Sequence, residues 1–260
     1  MNIFERLKTD LHLPGFISDL IFVVVVVGVV SLASQLLLGL WTPMVAVESG
    51  SMVPNMNIGD IVLVQGSSRT QVIPWDAAEK TSYIAFNKPG DVVLYRPYGK
   101  ERLGLLDQAK ALLGMPIPPY KATPIIHRAL RYVNKGDPMW EGGPRAPFAG
   151  YITKGDHNDV IDQSAGTILG LANTTYLAQE QKKGEIIEVG GGSIFMDRAT
   201  GLIIYKADNS SYVGEGISYL TPVDKDWVIG VARVKIPLVG YVRLIPNYIA
   251  DGISKIFKAF

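Results

Sequence analysis

The sequence predicts a mainly β domain, a barrel or sandwich, carried behind one N-terminal membrane helix and interrupted by short helical insertions. Three observations predict it. An uncharged apolar run covers residues 20–40. From Val45 onward the texture changes to short apolar, β-rich runs set between Gly, Pro and Asp turns. Two stretches, 66–87 and 99–119, break that rhythm and read as insertions.

The apolar run reads LIFVVVVVGVVSLASQLLLGL. At ~1.5 Å rise per residue it is ~32 Å long as a helix, about one bilayer core. A cleaved secretory signal has a shorter apolar core, ~7–15 residues, followed by small residues at a cleavage site. Here Trp41-Thr42-Pro43-Met44 follows, and Trp41 suits an interfacial anchor. A buried helix of a soluble domain is the alternative, and the Val-rich, all-round apolar character argues against it. Residues 1–19 form a polar head, expected in the cytosol. Its charges, Arg6 and Lys8 against Glu5, Asp10 and Asp19, do not decide the orientation.

The β domain is expected over residues 41–245. Its expected strands lie at 61–64, 91–95, 124–128, 129–133, 151–153, 186–189, 201–205 and 227–234. The first insertion is polar and irregular. The second contains a short helix, within Arg102 to Gly114, stopped by Gly114 and Pro116. The last stretch, 246–260, has apolar residues at 249, 253, 256, 257 and 260, with Asp251, Ser254, Lys255 and Lys258 between them. That is the period of an amphipathic helix. Two readings stand for it: lying on a membrane surface, or capping the domain.

Composition narrows the function. The chain has 260 residues, and 48% of them are apolar, enough for a core as well as a membrane segment. A net charge of +1 argues against a nucleic-acid partner. The absence of cysteine excludes disulfides, thiolate metal sites and a cysteine nucleophile.

The residues that carry chemistry are few. Ser49-Gly50-Ser51 opens a compact turn, with Ser51 eleven residues past Leu40. Such a turn can expose a hydroxyl beside free backbone N–H groups, which acyl transfer requires. At ~1.5 to ~3.3 Å per residue, the linker keeps Ser51 within roughly 16 to 36 Å of the end of the run. The histidines are His12, His127 and His157. His12 precedes the membrane run and stands on the other side from Ser51. His127 lies in an expected strand, and a neutral imidazole suits proton removal from a serine. His157 lies in a polar turn with Asp156, Asp159 and Asp162. A carboxylate from that turn could orient a histidine. The turn lacks the ligand spacing and central glycine of an EF-hand, and the histidines form no HExxH, so neither metal nor cofactor is expected. Asn173-Thr174-Thr175 and Asn209-Ser210-Ser211 match the glycosylation sequon.

In this order behind a membrane helix, the motifs resemble those of type I signal peptidases. Ser49-Gly50-Ser51-Met52-Val53-Pro54 with Gly59-Asp60 is similar to that family's nucleophile box. Lys88-Pro89-Gly90-Asp91-Val92-Val93 is similar to its following strand box. Ile126-His127-Arg128 falls where bacterial members place a catalytic lysine and archaeal and endoplasmic-reticulum members a histidine. Gly155-Asp156-x-Asn158 with Asp162 resembles the last box, and residues 229–241 resemble the closing strands. The likeness spans roughly residues 20–245, with gaps at the two insertions.

The resemblance implies a signal-peptidase-like β-barrel and the archaeal and endoplasmic-reticulum-type subfamily, a serine endopeptidase that removes N-terminal signal peptides from translocated preproteins. Carried over, Ser51 is the nucleophile and His127 the general base. Asp162 is the favoured orienting carboxylate and Asp156 the second candidate. The Ser51 N–H, with the Ser49 hydroxyl, would bind the oxyanion. Met52 and Val53 are candidate walls of shallow substrate pockets. The implied partners are signal-peptide-bearing preproteins, the lipid bilayer and the protein translocation channel. The implied location is a membrane, crossed once, with the catalytic domain extracytosolic. Position 157 departs from the pattern, holding His where relatives usually hold Asn, and so brings a second imidazole near the site. Two other readings stand beside this one. A Ser-Lys dyad could draw on Lys121, Lys135 or Lys154, none of which matches the position of His127. An inactive membrane-anchored β-domain could bind translocating chains or a partner protein without cutting.

Overall fold

The computed structural model describes residues 15–112, 115–207 and 210–237. The amphipathic segment 246–260, His12 and Asn209 lie outside them. The chain divides into two compact units, Met1–Pro43 and Met44–Phe260.

The first unit carries helix α1 (Gly15–Leu38). Its Phe16–Leu38 stretch is long and apolar enough to cross a membrane. The helix begins five residues before the expected run and stops two residues short of its end. Gly39 explains the stop. It adopts a left-handed φ of 72°, and its N–H closes on Gln35 O at 3.1 Å, a glycine helix ending. Val23–Val27 are weak helix formers in water. In hydrocarbon the requirement reverses, because a lone segment can satisfy its backbone only as a helix.

The second unit is mainly β. In chain order its first half contains β1 (Met44–Ala46), β2 (Ile61–Gly66), α2 (Trp75–Thr81), β3 (Ile84–Ala85), β4 (Lys88–Pro89), β5 (Val92–Tyr95), β6 (Glu101–Arg102), α3 (Leu105–Leu112), β7 (Lys121–Ala122), β8 (Ile125–Val133) and β9 (Gly150–Lys154). The second half contains β10 (Gly166–Leu171), α4 (Thr174–Lys182), β11 (Ile186–Gly190), β12 (Ile194–Asp197), β13 (Ile203–Ala207), β14 (Ser210–Gly216) and β15 (Val228–Ile236). Helix α2 falls in the first expected insertion and α3 in the second.

Six strands form one antiparallel sheet in the order β1-β2-β15-β5-β8-β9. Five form a second, in the order β10-β14-β13-β12-β11. The first sheet ends in β1 and β9, and among the described residues no pairing joins those two edges. The expected closed barrel is therefore corrected to two open sheets. Closure depends on which strands pair laterally, and a period-2 pattern does not encode that.

The two sheets share a core. Val93, Tyr95, Ala129 and Val231 of the first pack in one cluster with Ile194, Met196, Ile203 and Tyr205 of the second. Trp227 and Phe148 join it edge to face, 5.4 Å between ring centroids. Strand β2 alternates half-buried and buried positions, as a one-sided strand should. All four residues of β5 are buried, which fits a central strand. Helix α4 starts where it does because the Asn173 side chain accepts from the N–H groups of Thr175 and Tyr176, at 3.0 and 3.1 Å. Asn173 of the first sequon is thus an exposed helix N-cap.

Candidate active site

Strand β8 carries two chemically different neighbours on opposite faces of the sheet, because successive strand residues point to opposite sides. In the β5–β8 register His127 stands opposite Val93, and in the β8–β9 register Ala129 stands opposite Thr153. Two-residue steps then place Tyr95, His127 and Thr153 on one face, across three adjacent strands. Arg128 faces the other way.

On the first face the three side chains converge on Asp162, which follows β9. His127 Nδ1 lies 2.7 Å from Asp162 Oδ2. The Tyr95 hydroxyl donates to the same oxygen at 2.9 Å, and the Thr153 hydroxyl at 2.7 Å. His127 is 2% exposed, and Asp162, Tyr95 and Thr153 are 0% exposed. Burial, and after it the Asp162 charge, push the Tyr95 phenol well above its ordinary value, so it stays a donor. A carboxylate that accepts from two hydroxyls at one oxygen assigns the ring proton to Nδ1. His127 Nε2 then carries the lone pair, and it has no hydrogen-bond partner among the described residues. The backbone braces the carboxylate as well. Asp162 N–H donates to Thr153 O at 2.9 Å, and Thr153 N–H donates to Gln163 Oε1 at 3.0 Å.

The serine turn is assembled separately and clamped to the loop that follows β9. His157 N–H donates to Ser51 O at 2.8 Å, and Asp156 N–H to Met52 Sδ at 3.4 Å. Asn55 Nδ2 donates to Asp156 Oδ2 at 2.7 Å. Gly155 permits the approach, since a Cβ there would stand 2.6 Å from Ser51 O. Ser51 is half-buried, and its hydroxyl meets that of Ser49 at 3.2 Å. No hydrogen bond among the described residues takes the Ser51 N–H, as an oxyanion donor requires.

Arg128 and Asp156 tie the two parts together from the opposite face. The guanidinium grips both carboxylate oxygens, Nε to Oδ1 at 2.8 Å and Nη2 to Oδ2 at 2.7 Å. Nη1 donates to Gly90 O and to Ala85 O. Both side chains are buried, 1% and 3% exposed. A cleft beside them, lined by Trp75, Lys88, Leu130 and Lys154, includes neither Ser51 nor His127. Burial works to raise the Asp156 carboxyl. The hydrogen bonds from Arg128 and Asn55, with the Arg128 and Lys88 charges, outweigh it and hold the group below the usual carboxylate range. A depressed folded value gives stability that is fully present above the unfolded value, about 3.9, and is lost as pH falls through the folded value. Asp156→Asn is therefore expected to be less stable at neutral pH and to lose less further stability below about pH 4. Unfolding midpoints of both proteins across that acid range check this, and parallel curves would refute it.

The structure thus brings His127 to Asp162 and Ser51 to Ser49. It brings Asp156 to Arg128, not to His127, so the second candidate for the orienting carboxylate is a clamp. His157 is exposed, and its side chain bonds to no carboxylate among the described residues. Met52 is 0% exposed, with its Sδ accepting from the Asp156 N–H. Val53 is half-buried. No hydrogen bond joins Ser51 Oγ to His127 among the described residues. Tyr95, Thr153 and Asn55 are members that motif reading passes over, and Arg128 stands in a motif without a role assigned to it. Only strand parity, counted from His127 along β5 and β9, could have pointed to Tyr95 and Thr153. Comparisons with protein-family models and with curated proteins find no match to this chain.

Proposed function

We propose that this chain is a membrane-anchored serine endopeptidase that removes N-terminal signal peptides from preproteins crossing the membrane, with a two-sheet variant of the signal-peptidase fold. One observation carries the reading: a buried histidine whose Nδ1 is tied to a buried aspartate and whose Nε2 is unpartnered, at the sequence position where the resemblance expects the base. Ser51 Oγ attacks the scissile carbonyl while His127 Nε2 takes its proton. Asp162 holds the ring and stabilises the imidazolium. The Ser51 N–H and the Ser49 hydroxyl receive the developing oxyanion. The imidazolium then protonates the leaving amine, and water, activated by the same nitrogen, releases the acyl group. Substrate binding closes the gap between Ser51 and His127, since catalytic hydrogen bonds in unliganded sites are often long. The helix α1 anchors the domain, and the catalytic domain faces the extracytosolic side, where preproteins leave the translocation channel.

That same gap favours a second reading, a membrane-anchored β-domain that binds emerging chains without cutting them. One experiment separates the two. Full-length wild type and Ser51→Ala are reconstituted in sealed vesicles of known sidedness with a membrane-inserted preprotein. Cleavage by wild type and none by a folded Ser51→Ala, with the β domain open to added protease only from the extracytosolic face, is the expected result. Equal cleavage by both removes Ser51 from the chemistry, and binding without cleavage by wild type establishes the second reading.

A further inference from the structure

Asp162 is satisfied in a lopsided way. Oδ2 receives the three hydrogen bonds described above, from His127, Tyr95 and Thr153. Oδ1 is buried and has no partner among the described residues. Among the described residues the carboxylate is therefore hydrogen-bonded through one oxygen, and the donors on that oxygen favour one rotation about the Cβ–Cγ bond. Without them, hydrogen bonding no longer distinguishes Oδ2 from Oδ1 as the partner of Nδ1. An unpaired buried carboxylate oxygen carries a free-energy cost.

We propose that Tyr95 and Thr153 are positioning residues of this site, which lock Asp162 by its Oδ2 so that His127 keeps one ring orientation with Nε2 unpartnered. The inference rests on the peptidase reading for its kinetic consequence, but not for its geometry. Both residues come from strands flanking β8, so the lock is as rigid as the sheet. Neither hydroxyl is placed to touch a substrate, because both side chains are fully buried. They act through Asp162 and then His127. The hydroxyls also spread the carboxylate charge over three bonds, leaving the His127 bond as one among equals.

Full-length Tyr95→Phe, Thr153→Val and Thr153→Ser are compared with wild type on a preprotein substrate. Hydrogen bonds to charged groups are strong, and the expected loss is about 10-fold to 100-fold in kcat for Tyr95→Phe and for Thr153→Val. KM is expected to stay within about twofold, because substrate contacts are untouched. Thr153→Ser keeps the hydroxyl and is expected to recover most of the loss. The double variant Tyr95→Phe with Thr153→Val is expected to fall to the level of Asp162→Ala. A second readout does not need activity: the downfield N–H resonance of the His127–Asp162 bond in histidine-labelled protein, assigned by its absence in His127→Gln. It is expected to move or broaden in Tyr95→Phe and Thr153→Val and to remain in Thr153→Ser.

A wild-type kcat together with an unmoved resonance in both single variants overturns the inference. So does a parallel fall in kcat and thermal stability that Thr153→Ser does not relieve, which is what mere packing predicts. If wild type cuts no preprotein, the peptidase reading fails, and the resonance alone still decides whether Tyr95 and Thr153 lock the pair.

Discussion

His127→Ala is expected to lower kcat by about four orders of magnitude or more, the scale seen when a serine-hydrolase base is removed. The fold should survive, since the side chain makes one hydrogen bond among the described residues and Asp162 keeps the Tyr95 and Thr153 donors. His127→Lys should not restore activity. The oxygen at 2.7 Å from Nδ1 is already shared with two hydroxyls, and a lysine reaching it would spend its charge on Asp162 and leave no lone pair for Ser51. His157→Ala should be mild, because its ring is exposed and only its backbone N–H holds the serine turn. The measurement is single-turnover cleavage of a preprotein by the three purified variants. An inactive His157→Ala beside an active His127→Ala would transfer the role of base to His157.

Arg128→Ala is expected to have the largest effect on stability. It would strand a buried carboxylate and leave the Ala85 and Gly90 carbonyls without their donor. Breaking one side of a buried pair costs about 3–5 kcal/mol. A typical domain has only about 5–15 kcal/mol in hand. Arg128→Lys should recover only part, because a single ammonium cannot span two carboxylate oxygens and serve the carbonyls too. Replacing both partners by apolar residues, Arg128→Met with Asp156→Leu, should be less harmful than Arg128→Ala alone, since no charge is then left buried. Near-UV circular dichroism of the full chain in detergent, followed through thermal unfolding, reports the order. An Arg128→Ala midpoint within about 2 °C of wild type would show that the clamp contributes little.

Several features of this protein are properties of a single segment, and these are legible without any tertiary contact. Helix α1 is one: twenty or so uncharged residues have nowhere to satisfy their backbone in hydrocarbon except in a helix. Strands β2, β5, β8 and β9 are others, since each shows a β-branched or aromatic run beside a Gly, Pro or Asp turn. The helix in the second insertion is signalled by its stop residues, Gly114 and Pro116. Strands β10, β12 and β14 escape such reading for local reasons. In β10 every residue after Gly166 is exposed, so no alternation marks a buried face. Strand β12 has only four residues, and β14 is broken by Gly214 and Gly216.

The site divides along the same line. His127 stands out by the scarcity of histidine, and Ser51 and the carboxylates after β9 by their order along the chain, so the sequence offers them as candidates. Which carboxylate reaches the histidine is decided elsewhere. Asp156 and Asp162 are six residues apart, and only the path of the loop across the end of the sheet sends one to Arg128 and the other to His127. The lateral order of the strands is likewise tertiary: β15, near the end of the described chain, inserts between β2 and β5. A strand's period states which of its side chains share a face, but not which strand lies beside it. That choice rests on pairings between residues scores of positions apart, each weighed against the loop entropy of bringing them together. Tyr95, His127 and Thr153 become one site only after those pairings are made.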